Sequence, residues 1–104
     1  MAFAMLYTTH PDEDTAKTIA RTLVEERLAA CYNVFPMQSG YFWEGVLTTD
    51  EEWVAVLKTR SSLVAALRAR FEALHPYEVP CCIDWQVRAN AAYEAWIEAE
   101  TQPI

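Results

Sequence analysis

Two amphipathic helix patterns, with strand patterns before, between and after them, constrain the fold of this chain most strongly. Apolar residues recur three and four positions apart from Ala16 to Leu28 and again from Leu63 to Leu74, so each segment has one apolar face. Strand patterns occupy residues 3–8, 31–47, 53–58 and 83–88. A short third helix is predicted after Asn90. The order is therefore β-α-β-β-α-β followed by a helix.

That order is the signature of the ferredoxin-like split βαβ fold. The sequence predicts one α+β domain over residues 1–104, with an antiparallel sheet in the strand order 4-1-3-2. Pro36 is typical of an edge strand or a bulge, so we expect the second strand to bend there. The polar residues 48–51 are the predicted turn before the third strand. Ser61 or Ser62 is predicted to cap the second helix, and Asn90 the third.

The third strand, residues 53–58, is apolar on both faces. A strand that is buried on both faces in so small a domain needs a second covering layer. We expect a partner subunit to supply it.

The composition excludes several classes of function. A net charge of −7, from 15 acidic and 8 basic residues, repels phosphate backbones, so nucleic acid is not a predicted partner. The two glycines form no phosphate-binding motif. No apolar run approaches transmembrane length, and residues 1–6 are too short for the apolar region of a signal peptide. Three cysteines, an odd number, give no disulfide framework, so we expect a reduced cytoplasmic protein.

Residues 75–80, with the sequence His-Pro-Tyr-Glu-Val-Pro, form a stiff connection between the second helix and the last strand. Each proline fixes its own φ and biases the preceding residue toward extended geometry, so His75 and Val79 leave helical geometry. A histidine, a tyrosine and a carboxylate are thus held in a fixed relation, as a recognition or assembly surface requires. The alternative is a helix stop that is merely polar, and residue type alone favours it.

Five short motifs lie in register along residues 3–97. They are Thr9-His10-Pro11-Asp12-Glu13, Leu28-Ala29-Ala30-Cys31-Tyr32-Asn33-Val34, the set Ser39, Tyr41, Trp43 and Gly45 at alternate positions, Lys58-Thr59, and residues 75–80. Each motif is weak alone. Together, at this spacing, they resemble the CutA family, the divalent-cation-tolerance proteins.

The resemblance implies a compact homotrimer in which the long hairpins of strands two and three pack around the axis. It also implies a likeness in fold and assembly to the PII signalling proteins. Members of the family are linked to tolerance of divalent metals, copper above all, and some bind copper; no reaction is established for them. The chain itself offers no activated nucleophile or oxyanion device, so an enzyme, for example a hydrolase that uses Glu78 and His75, is not predicted.

The predicted topology gathers candidate metal ligands at one end of the molecule, because the end of the first strand lies beside the start of the last. The candidates are Thr8, His10, His75, Cys81 and Cys82. The resemblance implies copper ligands at the positions of Thr8, Leu74 and His75, and only His75 is a suitable ligand in this chain. His10 and Cys81 would replace the others, so we predict a copper or zinc site at His10, His75 and Cys81. In the alternative, His10 only starts the helix and Cys81 is a buried apolar residue.

Five residues are predicted to line a trimer interface or an intersubunit cleft: Tyr41, Trp43, Trp53, Tyr77 and Glu78. An aromatic stripe on a hairpin is typical of packing between subunits. Glu78 would pair with a basic residue across a subunit boundary or contact a ligand there. The acidic residues 50–52 are interpreted as solvated turn charges. Two functions remain open, namely a trimeric protein of metal response and a PII-like regulator that binds a small molecule or a partner protein.

Overall fold

The structure of the protein, a computed structural model, describes residues 3–102. Within these residues, four strands and three α-helices follow one another in the predicted order. The strands are β1 (Phe3–His10), β2 (Cys31–Trp43), β3 (Val46–Arg60) and β4 (Cys82–Val87). The α-helices are α1 (Glu13–Glu25), α2 (Val64–Leu74) and α3 (Ala91–Glu100), and a 3-10 turn, Ser61–Leu63, precedes α2. Among these helices, none is long and apolar enough to cross a membrane.

The four described strands form an antiparallel sheet in the order β2-β3-β1-β4. This confirms the predicted α+β class and strand order. Thr8 of β1 lies opposite Ala55 of β3 on one side and opposite Cys82 of β4 on the other. The end of β1 is therefore beside the start of β4, as the topology predicts.

The core lies between one face of the sheet and helices α1 and α2. Leu6 and Leu57, paired across β1 and β3, are fully buried together with Leu23 of α1 and Phe71 of α2. Burial of each such side chain stabilises the fold by about 1.5–3 kcal/mol. Because side chains alternate along a strand, the odd-numbered residues of β1 lie on the opposite face.

The opposite face of the sheet is only partly covered. Phe3 packs there against Ile97 of α3 in a second, smaller cluster. Phe35 of β2, together with Ile83 and Trp85 of β4, lies on the same face and remains exposed. The sheet thus has one closed face and one face that a further layer can cover.

The turn between β2 and β3 lies at Glu44 and Gly45, so the prediction of a turn at residues 48–51 is wrong. Both turn residues have positive φ, 51° and 81°. Two such residues in succession form the kind of tight turn whose twist suits the right-handed twist of a hairpin. Glutamate rarely adopts positive φ, which is why residue type points elsewhere. Residues 48–51 continue β3 and lengthen the hairpin.

The local features predicted for Pro36 and for the helix caps are only partly correct. Pro36 lies in an edge strand, as expected, but the pairing passes through it opposite Trp53 without a shift in register, so there is no bulge. Neither Ser61 nor Ser62 caps α2, because both lie in the 3-10 turn before it. Asn90 does occupy the N-cap position of α3, although its side chain makes no capping hydrogen bond.

Candidate functional site

His75 ties the connection after α2 to the end of β1. Its backbone is extended, with φ −81° and ψ 138°, as expected for a residue before proline. The imidazole Nε2 donates to the carbonyl oxygen of Thr9 at 2.6 Å, and Nδ1 accepts from the backbone N–H of Tyr77 at 3.1 Å. A carbonyl only accepts and an amide N–H only donates, so the ring is neutral with its proton on Nε2. The side chain is 8% exposed.

His10, the last residue of β1, is fully buried beside His75. Its ring centroid lies 5.1 Å from that of His75 and 5.8 Å from that of Phe71. Nδ1 donates to the carbonyl oxygen of Trp53 at 3.1 Å, whereas Nε2 has no hydrogen-bond partner among residues 3–102. Burial lowers the pKa of His10 to about 4, although the bond to Trp53 acts in the opposite direction. Burial also lowers the pKa of His75, so both rings are neutral at neutral pH.

Tyr77 joins this histidine pair to Glu52 of β3. Its ring lies edge-on to His75, with centroids 4.7 Å apart, and its hydroxyl donates to Glu52 Oε2 at 3.0 Å. Burial, reinforced by the bond to Glu52, raises the pKa of Tyr77, so the phenol stays protonated. Glu52 itself is 7% exposed. The interpretation of residues 50–52 as solvated turn charges is therefore wrong for Glu52, because β3 continues through this position.

Tyr77 and Glu52 form part of the wall of a cleft with a volume of about 360 Å³. Eight residues line it: Thr9, Tyr41, Trp43, Thr48, Glu52, Tyr77, Glu78 and Val79. The lining combines three aromatic rings with two carboxylates. Four of the five residues predicted for an interface or cleft are among the eight. The fifth, Trp53, lies on the opposite face of β3 from Glu52, because neighbouring residues of a strand point to opposite faces.

The predicted metal ligands are brought together only in part. His10 and His75 are neighbours, but both ring nitrogens of His75 already take part in hydrogen bonds. Burial raises the pKa of the half-buried Cys81 thiol, so it is not a thiolate at neutral pH. Within residues 3–102 no group of three or more His, Cys, Asp or Glu side chains is placed to hold a metal ion. The donors therefore do not fit a metal ion in this conformation.

The two other candidates at this end of the molecule face the helices. The Thr8 hydroxyl donates to the carbonyl oxygen of Ala55 at 2.8 Å and is fully buried. Cys82 packs against the core, and burial raises its thiol pKa. Cys81 and Cys82 are both free, so no disulfide joins them. Neither Thr8 nor Cys82 adds a ready ligand to the histidine pair.

Four of the eight residues that line the cleft have no role in the predicted ligand set or cleft, namely Thr9, Thr48, Glu52 and Val79. Thr9 contributes a backbone carbonyl, and such a contact leaves no signal in residue type. Glu52 does have a signal, because the period of two along β3 places it on the same face as Val54 and Val56. A carboxylate that continues a buried strand face is therefore a candidate site residue even next to other acidic residues.

The sequence and the fold are similar to those of known proteins. Residues 4–100 match the model of the family described as CutA1 divalent ion tolerance protein. The divalent-cation tolerance protein CutA of Pyrococcus horikoshii is 41% identical over 99 residues, which cover 94% of this chain and 97% of the relative. Its counterpart in Thermotoga maritima is 41% identical over 94 residues, which cover 89% of this chain and 93% of the relative.

A solved structure agrees with these matches. The CutA protein of Archaeoglobus fulgidus, described as a periplasmic divalent cation tolerance protein, superimposes with a TM-score of 0.93 at 34% sequence identity. The superposition covers 96% of this chain and 99% of that one. The likeness in fold therefore extends over nearly the whole of both chains.

We expect the free energy of unfolding to fall as the pH is lowered from about 7.5 to about 5. His10 has a pKa of about 4 in the folded state, against about 6.5 for an ordinary histidine, so the unfolded state binds more protons between these two pH values. The stability that the neutral His10 contributes is fully present above a pH of about 6.5, and it is lost as the pH falls toward about 4. The expected loss over this range is about 2 kcal/mol, from linkage of the two pKa values. Urea unfolding at the two pH values measures it.

The variant His10→Asn is the control for this pH effect. An asparagine amide can donate to the Trp53 carbonyl as Nδ1 does, but it does not titrate. The variant should retain only the smaller pH dependence that His75 contributes in the same direction. An equally steep loss of stability in both proteins, compared at one protein concentration, would contradict the buried neutral His10.

Proposed function

Because the chain belongs to the CutA1 divalent ion tolerance family, we propose that it takes part in the response to divalent metal ions as a cytoplasmic homotrimer. The family supports the role in metal tolerance. The cytoplasmic location is supported by three cysteines that are all free. The assembly is supported by the exposed apolar side chains at the outer end of the hairpin of β2 and β3, and these side chains carry the proposal.

The outer end of the hairpin exposes large apolar side chains. Phe42 is 73% exposed, and Val46 and Leu47 are each 65% exposed. Ile83 and Trp85 are exposed separately, on β4 and on the open face of the sheet. Large apolar side chains that remain exposed in this number mark interaction surfaces, because their burial gains about 25 cal/mol per Å². Packing of three hairpins and three open sheet faces against one another would bury them.

Light scattering at micromolar concentration tests the assembly. We expect a mass three times the chain mass of 11.9 kDa. Phe42 and Leu47 form a cross-strand pair near the hairpin turn, so the double variant Phe42→Glu and Leu47→Glu places two charges in the proposed interface. This variant should lose the trimer, whereas Glu44→Gln, at the turn itself, should keep it. A monomeric native protein would contradict the proposal.

Direct binding of copper or zinc at His10, His75 and Cys81 stays a prediction. It would require a change from the conformation described above. His75 would have to release either the Thr9 carbonyl or the Tyr77 amide, and Cys81 would have to lose its proton. Of the three residues, only His10 has a nitrogen with no partner among residues 3–102.

Titration with Cu(I) and with Zn(II) tests this site. The site predicts that His75→Ala and Cys81→Ser each lower the affinity by at least about tenfold, since removal of a ligand costs more than removal of its support. Cys82→Ser is the matched control and should bind like the native protein, because Cys82 faces the core. Equal affinities in all four proteins would exclude a site at these residues.

A second function is favoured by a separate observation, the cleft. Like a PII-like regulator, the protein would bind a small molecule or a segment of a partner protein there. The volume of about 360 Å³ falls within the range of small-molecule sites, and the nearly buried Glu52 carboxylate gives the cleft a specific polar group. Each subunit of the trimer would then carry a cleft near its hairpin.

A further inference from the structure

We propose that the cleft binds a small organic ammonium ion, with the cation between the rings of Tyr41, Trp43 and Tyr77 and beside the Glu52 carboxylate. The inference rests on the second function above, the binding of a small molecule in the cleft, and it names the chemical class of that molecule. Three features of the lining support it: its charge, its aromatic rings and its rigidity.

The charge of the lining selects a cation. Glu52 and Glu78 are both acidic, and none of the eight residues that line the cleft within the described chain is basic. Glu52 Oε2 accepts from Tyr77, and the other carboxylate oxygen has no hydrogen-bond partner among residues 3–102. That oxygen can face a bound cation, and the attraction between opposite charges is stronger in a partly buried site than in open water. The net charge of −7 adds a favourable long-range field.

The aromatic rings select an organic cation. The faces of tryptophan and tyrosine attract cations, and alkylated ammonium groups are the ligands that such aromatic cages recognise. The Tyr41 hydroxyl donates to Asp50 Oδ2 at 3.2 Å, as Tyr77 donates to Glu52, so each phenol ring is enriched in electron density by a carboxylate. A metal ion needs several oxygen ligands instead, and the described residues hold no group of acidic side chains placed to provide them.

The cleft wall is fixed before any ligand enters. Three contacts hold Tyr77. Its backbone N–H donates a hydrogen bond to His75 Nδ1, its ring lies edge-on to the His75 ring, and its hydroxyl donates a hydrogen bond to Glu52. His75 in turn is anchored to the Thr9 carbonyl. A preformed wall lowers the entropy cost of binding, so a small ligand can gain affinity from few contacts.

The experiment uses choline and tetramethylammonium as probes, with 3,3-dimethylbutan-1-ol as the neutral analogue of choline. Calorimetric titration of the native protein should show binding of both cations. The neutral analogue should bind at least about tenfold more weakly, since it lacks the cation–π and carboxylate terms. Equal affinity for choline and the neutral analogue, or no binding of either cation at millimolar concentration, would overturn the proposal.

Two matched variants locate the site. Glu52→Gln retains an acceptor for the Tyr77 hydroxyl but removes the charge, and it should weaken choline binding by at least about tenfold. Glu51→Gln removes the same charge from the exposed neighbour on the other face of β3, and its affinity should equal that of the native protein. Equal affinities in both variants would overturn the site. If Glu52→Gln does not fold, the comparison of choline with the neutral analogue on the native protein still tests whether the cleft prefers a cation.

Failure of this inference is distinguishable from failure of the cleft function. Melting-temperature shifts with nucleotides or carboxylate metabolites, measured on the native protein and on Trp43→Leu, make the distinction. A shift that Trp43→Leu abolishes, without binding of choline, overturns the ammonium class and leaves the cleft function standing. The absence of any shift, with no choline binding, overturns both.

Discussion

The hydrogen bond from His75 Nε2 to the carbonyl oxygen of Thr9 holds the candidate site together. It joins residues 66 positions apart and connects the end of α2 to the end of β1. A buried bond of this kind contributes about 1 kcal/mol, but loss of one partner leaves a buried polar group and costs more. Once His75 is fixed, its Nδ1 positions the Tyr77 amide, and Tyr77 reaches Glu52 across the sheet. The wall of the cleft thus depends on one imidazole in one tautomer.

The same bond explains why the histidine pair is not a ready metal site. Neutral imidazoles are the form that binds soft metals, and burial keeps both rings neutral. However, His75 Nδ1 accepts a hydrogen bond from the Tyr77 backbone N–H, and the N–H at Nε2 donates a hydrogen bond to the Thr9 carbonyl oxygen. Structural anchoring and metal binding therefore compete for the same nitrogens. A metal could be held here only if the wall of the cleft moved.

Periodicity was sufficient to predict the elements and their order. The apolar stripes from Ala16 and from Leu63 correspond to α1 and α2, and the split βαβ order led to the observed strand order. The hairpin turn was missed because Glu44 takes positive φ, a conformation that tertiary pairing imposes against its propensity. Because the turn is predicted too late in the chain, the predicted third strand is shorter than β3. The interpretation of Glu52 as a surface charge has the same cause.

The sequence predicts which residues of the site lie close together, but not which hydrogen bonds they make. Topology placed His10 and His75 at one end of the molecule, and the structure has them with ring centroids 5.1 Å apart. Residue type could not show that His75 would use both nitrogens, because its partners are backbone groups of Thr9 and Tyr77. Trp53 was assigned to the cleft although the alternation along β3 puts it on the face of His10, its partner across the strands.

The ¹⁵N NMR spectrum of the histidine side chains tests the central role of His75 most directly. The chain has two histidines, so a spectrum of His10→Asn assigns both rings by difference. At neutral pH the structure requires opposite tautomers, with His75 protonated on Nε2 and His10 on Nδ1. Two neutral rings with these protonation sites would confirm the anchor. A His75 that is protonated on Nδ1, or on both nitrogens, could not accept from the Tyr77 amide and would contradict it.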